Sequence, residues 1–207
     1  MHILRILEII GTIAFAVSGA IVGIQKRMDI FGVSILGLTK AVGGWVMRDL
    51  ILNITPPAAF VNPIFAVTAV VVSVIMFIKP VHPSERVRAM LEEKLLLVMD
   101  SVGLGLFTVT GIDVAMTSAA GANLFLATFV GVLTGVGGGL LRDVFAGKTP
   151  DIFVKHFYAC ASIIGAWVCA LLWPVAGSGL AMFAGAAVIV VLRILAARYH
   201  WELPRAK

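Results

Sequence analysis

The sequence predicts an all-α membrane protein of seven transmembrane helices, arranged as two inverted three-helix repeats plus a seventh helix. Composition, the spacing of apolar stretches and an internal repeat each point there. Of the 207 residues, 60% are hydrophobic and 13% charged, and the mean hydropathy is +1.06. A soluble domain carries a charged fraction of about 25%, so a water-soluble fold of this chain would leave much apolar surface wet. A bilayer removes that conflict.

A helix needs about 20 mainly apolar residues to span a membrane. Such stretches lie near 5–24, 30–52, 61–79, 95–116, 122–143, 153–173 and 179–198. Polar or helix-breaking punctuation separates them: Gln25-Lys26-Arg27, Pro56-Pro57, the polar run from Lys79 to Lys94, Gly147-Lys148-Thr149-Pro150, and Pro174 to Gly179. The first stretch lacks a small-residue cleavage site in polar context and reads as a retained span. The predicted division is repeat 1 over 1–79, a cytoplasmic linker over 80–94, repeat 2 over 95–173, and a seventh span with its tail over 174–207.

Seven spans put the termini on opposite sides. Lys26, Arg27, Lys79, Arg86, Arg88, Lys94, Arg142, Lys148, Lys155, Arg193, Arg198, Arg205 and Lys207 then gather on one side, against Arg5 and Arg48 on the other. Excess Lys and Arg marks the cytoplasmic face, which predicts a multi-pass protein of the inner (plasma) membrane with its N-terminus outside and its C-terminus cytoplasmic. The net charge of +5 belongs to these flanking clusters rather than to a nucleic-acid face.

The repeat follows from EIIGTIAFAVSGAIVG at Glu8 and DSVGLGLFTVTGIDVA at Asp100. Glu8 aligns with Asp100, Gly11 with Gly103, Phe15 with Phe107, and Ser18-Gly19 with Thr110-Gly111. Further on, Val42-Gly43-Gly44 aligns with Val136-Gly137-Gly138, Arg48-Asp49 with Arg142-Asp143, and Pro56 with Pro150. Each copy holds three spans, so the second enters the membrane from the opposite face. Inverted repeats place ligand or ion paths at the repeat interface near the midplane.

Candidate functional residues follow from that symmetry. Gly43-Gly44 and Gly137-Gly138-Gly139 sit inside apolar helices, where glycine permits close helix packing or a bend that frees carbonyls. Arg48-Asp49 and Arg142-Asp143 recur at the two mouths as possible ion-pair gates, with topology and snorkelling as the plain alternative. Lys40 is the sharpest residue, a charge deep in the second span, where a lone cation is costly and functional by default. In a cation path it would repel ions or act as a movable plug, and in an anion path attract them; the plain alternative is a structural ion pair with Glu8 or Asp100. The counterpart of Lys40 is the uncharged Thr134. Ser18, Thr110 and Thr134 supply hydroxyls that either line a path or bond back to their own helices. Glu8 and Asp100 open the first helix of each repeat, and Asp113 lies near the outer end of the fourth span.

Other chemistry is excluded. Cys160 and Cys169 stand ~13 Å apart along one helix, too far to bridge, and no metal spacing is present. The four histidines form no HExxH, and GVGGG lacks the βαβ context of a dinucleotide turn. No catalytic constellation, metal site or cofactor site is predicted.

With VGGWVMRD, VGVLTGVGGGLLRD, FAVSGA, KRMDIFG and GLGLFTVTG, the chain resembles the prokaryotic TRIC family, relatives of the trimeric intracellular cation channels. The resemblance covers nearly the whole chain. It implies a homotrimer in membrane lipid, with a pore in each subunit for monovalent cations, chiefly potassium but also sodium. In the family the second and fifth helices line the pore and kink at their glycine runs. The family's usual pattern has a third glycine where this chain has Trp45, and no lysine at Lys40. Prokaryotic relatives are also catalogued as glycine transporters, so a secondary transporter for a small zwitterion is the alternative, and a purely structural membrane protein a third reading.

Overall fold

The computed structural model describes residues 2–78, 85–118, 123–154 and 157–201. Eight helices follow in order: α1 His2–Gln25, α2 Ile30–Ile51, α3 Ala58–Val61, α4 Ile64–Ile78, α5 Glu85–Thr117, α6 Leu124–Phe145, α7 Asp151–Val154 and α8 Tyr158–Arg198. Among the described residues there is no strand. Helices α1, α2, α5, α6 and α8 are long and apolar enough to cross a membrane, and α4 is a shorter apolar helix.

Helix α8 has 41 residues, about 61 Å of straight helix and twice a hydrocarbon core. It does not run straight. Gly177 takes φ 77°, ψ 162°, three residues after Pro174, and the two arms fold back against each other. Gly165 and Gly185 form the seam: a Cβ on Gly165 would meet the Gly185 carbonyl, and one on Gly185 the Gly165 carbonyl. Counting each arm, the chain makes seven crossings.

Boundaries differ from the sequence reading where polar residues continue a helix. The run expected as linker up to Lys94 is helical from Glu85; its opening residues, 79–84, lie outside the described part. The third and sixth spans start later than expected, because the one-turn helices α3 and α7 precede them.

The two repeats match turn by turn. Asp29 and Asn123 cap α2 and α6, accepting from the amides of Gly32 and Leu126. Both helices end in the same reversed turn. Asn53 and Gly147 adopt positive φ (55° and 64°), while Ile54 and Lys148 donate back to the Asp49 and Asp143 carbonyls at 2.8 and 3.0 Å. Oδ2 of Asp49 then accepts from the Ala58 amide, and Oδ2 of Asp143 from the Asp151 amide, each at 2.8 Å. These bonds make Pro57, not Pro56, the partner of Pro150, so the first repeat carries one extra residue in this turn.

The repeats pack through equivalent residues. Phe15 and Phe107 meet edge to face with centroids 4.8 Å apart and mark the pseudo-two-fold axis. Gly11 packs on Phe107, and Gly103 on Phe15. Gly44 lies against the Thr134 carbonyl and Gly138 against the Lys40 carbonyl; in both helices the residue four positions before the glycine is met by its counterpart's partner. Outward, Val67, Val71, Ile75 and Ile78 form an exposed apolar row on α4, the stripe of a helix facing lipid or another subunit.

The candidate ion path and its two mouths

Lys40 lies in the middle of α2 and is wholly buried. Helical side chains lean toward the helix N-terminus, which sends this ammonium toward the N-terminal end of α2, beside the last turn of α6. There it donates to Asp100 of α5 and to Oγ of Ser18 on α1 at 2.7 Å, and sits 4.8 Å from the Phe15 ring centroid. Of the two carboxylates named as alternatives for an ion pair with Lys40, it is Asp100 that makes one.

Two guanidiniums complete the cluster. Nη1 of Arg142 donates to Ser18 Oγ at 3.2 Å and lies 3.8 Å from Asp100 Oδ1. Nη2 of Arg193, on the second arm of α8, approaches Asp100 Oδ2 at 3.7 Å, with its guanidinium 4.4 Å from the Tyr158 ring centroid. Arg142 is held from behind: its Nε and Nη2 contact Asp143 at 2.7 and 2.6 Å, and Nη2 reaches Asp151 Oδ2 at 3.2 Å. Lys148 bridges Asp143 and Asp151 at 3.1 and 3.2 Å. One carboxylate thus faces three cations in a buried setting, where removal from water costs several kcal/mol per ion and only close pairing offsets it. The pocket beside this cluster, lined by Val136, Gly139, Arg142, Asp151 and Tyr158, has no room for a water molecule.

The symmetry-related region, at the C-terminal end of α2, differs. A cavity of about 340 Å³ is lined by Arg5, Glu8, Trp45, Pro56, Ala58 and Phe65, among others. Glu8, the counterpart of Asp100, is half-buried there. Arg48 donates through Nε to Asp49 at 2.7 Å and stacks 5.6 Å from the Trp45 ring centroid. Its Nη1 and the Trp45 Nε1 are buried without an acceptor among the described residues. The turn differs from its twin: Ile54 and Ala58 occupy the places of Lys148 and Asp151, so the second layer of charges is missing.

The glycine runs lie within uninterrupted helix in both α2 and α6, so no carbonyl is freed there. Their visible task is the close crossing of the two helices. Trp45 stands where the second repeat has Gly139, and fills that space against Phe65 with centroids 4.6 Å apart; Gly139 instead faces the Tyr158 hydroxyl. Thr110 and Thr134 bond back to the carbonyls of Phe107 and Val130 at 3.3 and 2.6 Å. Ser18 alone of the three hydroxyls joins the charged cluster. Asp113 lies apart from it, near the C-terminal end of α5. Both cysteines are free thiols.

Arg193, Lys148, Asp151 and Tyr158 belong to the cluster and were not singled out by sequence. Arg193 carried a signal: it interrupts VIVVLRILAA, as Lys40 interrupts its own span. Proximity to the span's end disguised it as a flanking charge.

A family model described as Glycine transporter matches residues 5–80 and again 97–174, tracing the two repeats. The UPF0126 inner membrane protein YadS of Escherichia coli K12 is 38% identical over 200 residues, covering 96% of this chain and 93% of that protein. The UPF0126 membrane protein YvgT of Bacillus subtilis is 32% identical over 208 residues, covering 97% and 95%. Among solved structures, the TRIC trimeric intracellular cation channel orthologue of Rhodobacter sphaeroides superposes with a TM-score of 0.87 at 33% identity, over 97% of this chain and 100% of that one. The chain belongs to the prokaryotic TRIC family. Another TRIC structure, solved to explain conductance through these cation channels, gives a TM-score of 0.85 at 35% identity over 98% and 97% of the two chains. A TRIC counter-ion channel at 14% identity shares the fold, with a TM-score of 0.63. In the TRIC frame the Asp100 cluster and the Glu8 cavity lie on opposite sides of the pseudo-two-fold axis that relates the repeats.

Proposed function

We propose that the protein is a channel for monovalent cations, chiefly potassium, that works as a homotrimer with a path between the inverted repeats of each subunit. The observation that carries this reading is the inequality of two symmetry-related sites: a cavity with Glu8 in its wall on one side of the repeat axis, and on the other a buried plug of paired charges around Asp100. By the positive-inside bias, the cavity faces outward and the Asp100 cluster faces the cytoplasm. The glycines at 43–44 and 137–139 are where α2 and α6 would bend or slide on opening, and Ser18, Thr110 and Thr134 are the hydroxyls a passing ion would meet. Such weak ligands suit conduction, which needs an ion to be admitted and released. Support comes from the solved relatives, which are cation channels by name.

Lys40 is the chief electrostatic barrier. A fixed ammonium 4 Å from a cation costs about 4 kcal/mol at an effective dielectric of 20. Planar bilayers with a potassium gradient should show unitary currents with a cation-selective reversal potential, several-fold larger in Lys40→Ala. Silent bilayers together with saturable uptake of glycine into liposomes would reverse the reading in favour of the carrier that the family model's description suggests.

A further inference from the structure

We infer that Trp45 sets the bore of the ion path: with Phe15 and Phe107 it forms an aromatic partition between the Glu8 cavity and the Asp100 cluster. The inference rests on the channel reading above and adds a barrier of a different kind from Lys40. Trp45 lines the cavity and meets Phe107 with ring centroids 5.2 Å apart. Phe107 meets Phe15 at 4.8 Å, and the Lys40 ammonium lies 4.8 Å from the Phe15 centroid. All three rings are buried, and each step between them is a direct ring contact. Ring thus follows ring from the cavity wall to the charged cluster. A path that keeps the repeat symmetry crosses the axis that Phe15 and Phe107 mark, so it passes this column.

Phe15 and Phe107 are each other's counterparts, but the third ring belongs to one repeat only. Position 139, the twin of 45, is glycine, and a Cβ there would approach only the Tyr158 hydroxyl, at 3.5 Å. The Asp100 side is therefore obstructed by paired charges and the Glu8 side by an indole. Charge sorts ions by sign, whereas an apolar constriction excludes by size and by dewetting. Trp45 is also a ring that can leave. A buried indole N–H usually has a partner, yet Nε1 of Trp45 has none among the described residues. Packing against Phe65 and Phe107 holds the ring there in spite of that lost bond. A turn into the cavity beside it would give the N–H water and widen the way to Phe107.

Thiol labelling reads the partition without any current. Ala41 stands one turn from Trp45 on the side away from the cavity, buried in the same cluster as Phe15 and Phe107. With Cys160→Ala as background, Ala41→Cys is exposed to a membrane-impermeant methanethiosulfonate bearing a trimethylammonium group, on protein in lipid nanodiscs. Cys169, buried in a separate cluster, is kept to report the state of the fold. Labelling at Ala41→Cys should be slow with Trp45 or Trp45→Phe and many-fold faster with Trp45→Gly, while Cys169 stays protected. If Trp45→Gly fails to fold, Trp45→Ala takes its place with the same expectation. Unchanged labelling at Ala41→Cys would overturn the inference, and so would a rise shared by Cys169, which marks a loosened core. In planar bilayers the permeability ratio of potassium to tetramethylammonium should fall several-fold in Trp45→Gly but not in Lys40→Ala; a ratio unmoved by Trp45→Gly would also overturn it. Silent bilayers with the labelling pattern intact would count against the channel and leave the partition standing.

Discussion

Asp100 and Lys40 are partners but not equals. Asp100 faces Lys40, Arg142 and Arg193 together, and removing it takes a counter-charge from all three. Arg142 keeps Asp143 and Asp151, whereas Lys40 keeps only the Ser18 hydroxyl. Breaking a buried pair from the side that leaves charge uncompensated costs about 3–5 kcal/mol. Asp100→Ala is therefore expected to lower the thermal midpoint in detergent far more than Lys40→Met, which leaves Asp100 with two guanidiniums. Equal losses would mean that the cluster is held mainly through Lys40. The need of Lys40 for a carboxylate was legible, because a lone charge at that depth must be paired. Which carboxylate was not, since Glu8 and Asp100 are symmetry mates and only three-dimensional direction separates them. Arg193 escaped notice because a cation near a span's end has an ordinary explanation in snorkelling.

Helices α2 and α6 owe their crossing to two backbone contacts, and this ranks the glycines. A methyl on Gly44 or Gly138 would strike a carbonyl of the opposing helix, which cannot rotate aside as a side chain can. Overpacking of this kind costs about 1–3 kcal/mol, so Gly44→Ala and Gly138→Ala should each show a clear fall in midpoint. Gly147 has positive φ but nothing near it, so Gly147→Ala should cost about 1 kcal/mol through backbone strain alone. A Gly147→Ala loss larger than that of Gly138→Ala would place the weak point in the turn instead. The doubled glycine pattern announced these crossings in sequence, but not their purpose: close approach and bending ask for the same residue. The register of the Pro56-Pro57 turn was equally hidden, since two adjacent prolines offer the same match to Pro150 and only the hydrogen bonds of Asp49 and Asp143 choose between them.

At the scale of the molecule, the fold was readable almost entirely, because hydropathy fixes the number of crossings and an odd-numbered repeat fixes their inversion. Lys40 against Thr134 announced an inequality of the two ends, but most of it stayed hidden. It arises from single positions, Ile54 and Ala58 against Lys148 and Asp151, and from Arg193 on a helix with no counterpart. Since α1 packs broadly on α5 and α2 on α6 as well as on their own repeat, and none of these contacts needs a covalent link, the chain divided between Ile78 and Glu85 should reassemble. Co-expressed halves are expected to co-purify through a tag on one of them, and recovery of the tagged half alone would show that the linker is required.

The meeting of Phe15 with its own counterpart Phe107 has a further meaning. A residue lies against its twin only on a symmetry axis, and Gly44 with Thr134 and Gly138 with Lys40 repeat one contact in two directions. A half-length chain of three spans that entered the membrane both ways up could form every one of these contacts as an antiparallel homodimer. Joining two copies end to end would then free each half to change alone, and the charges that differ between the mouths are the record of that freedom.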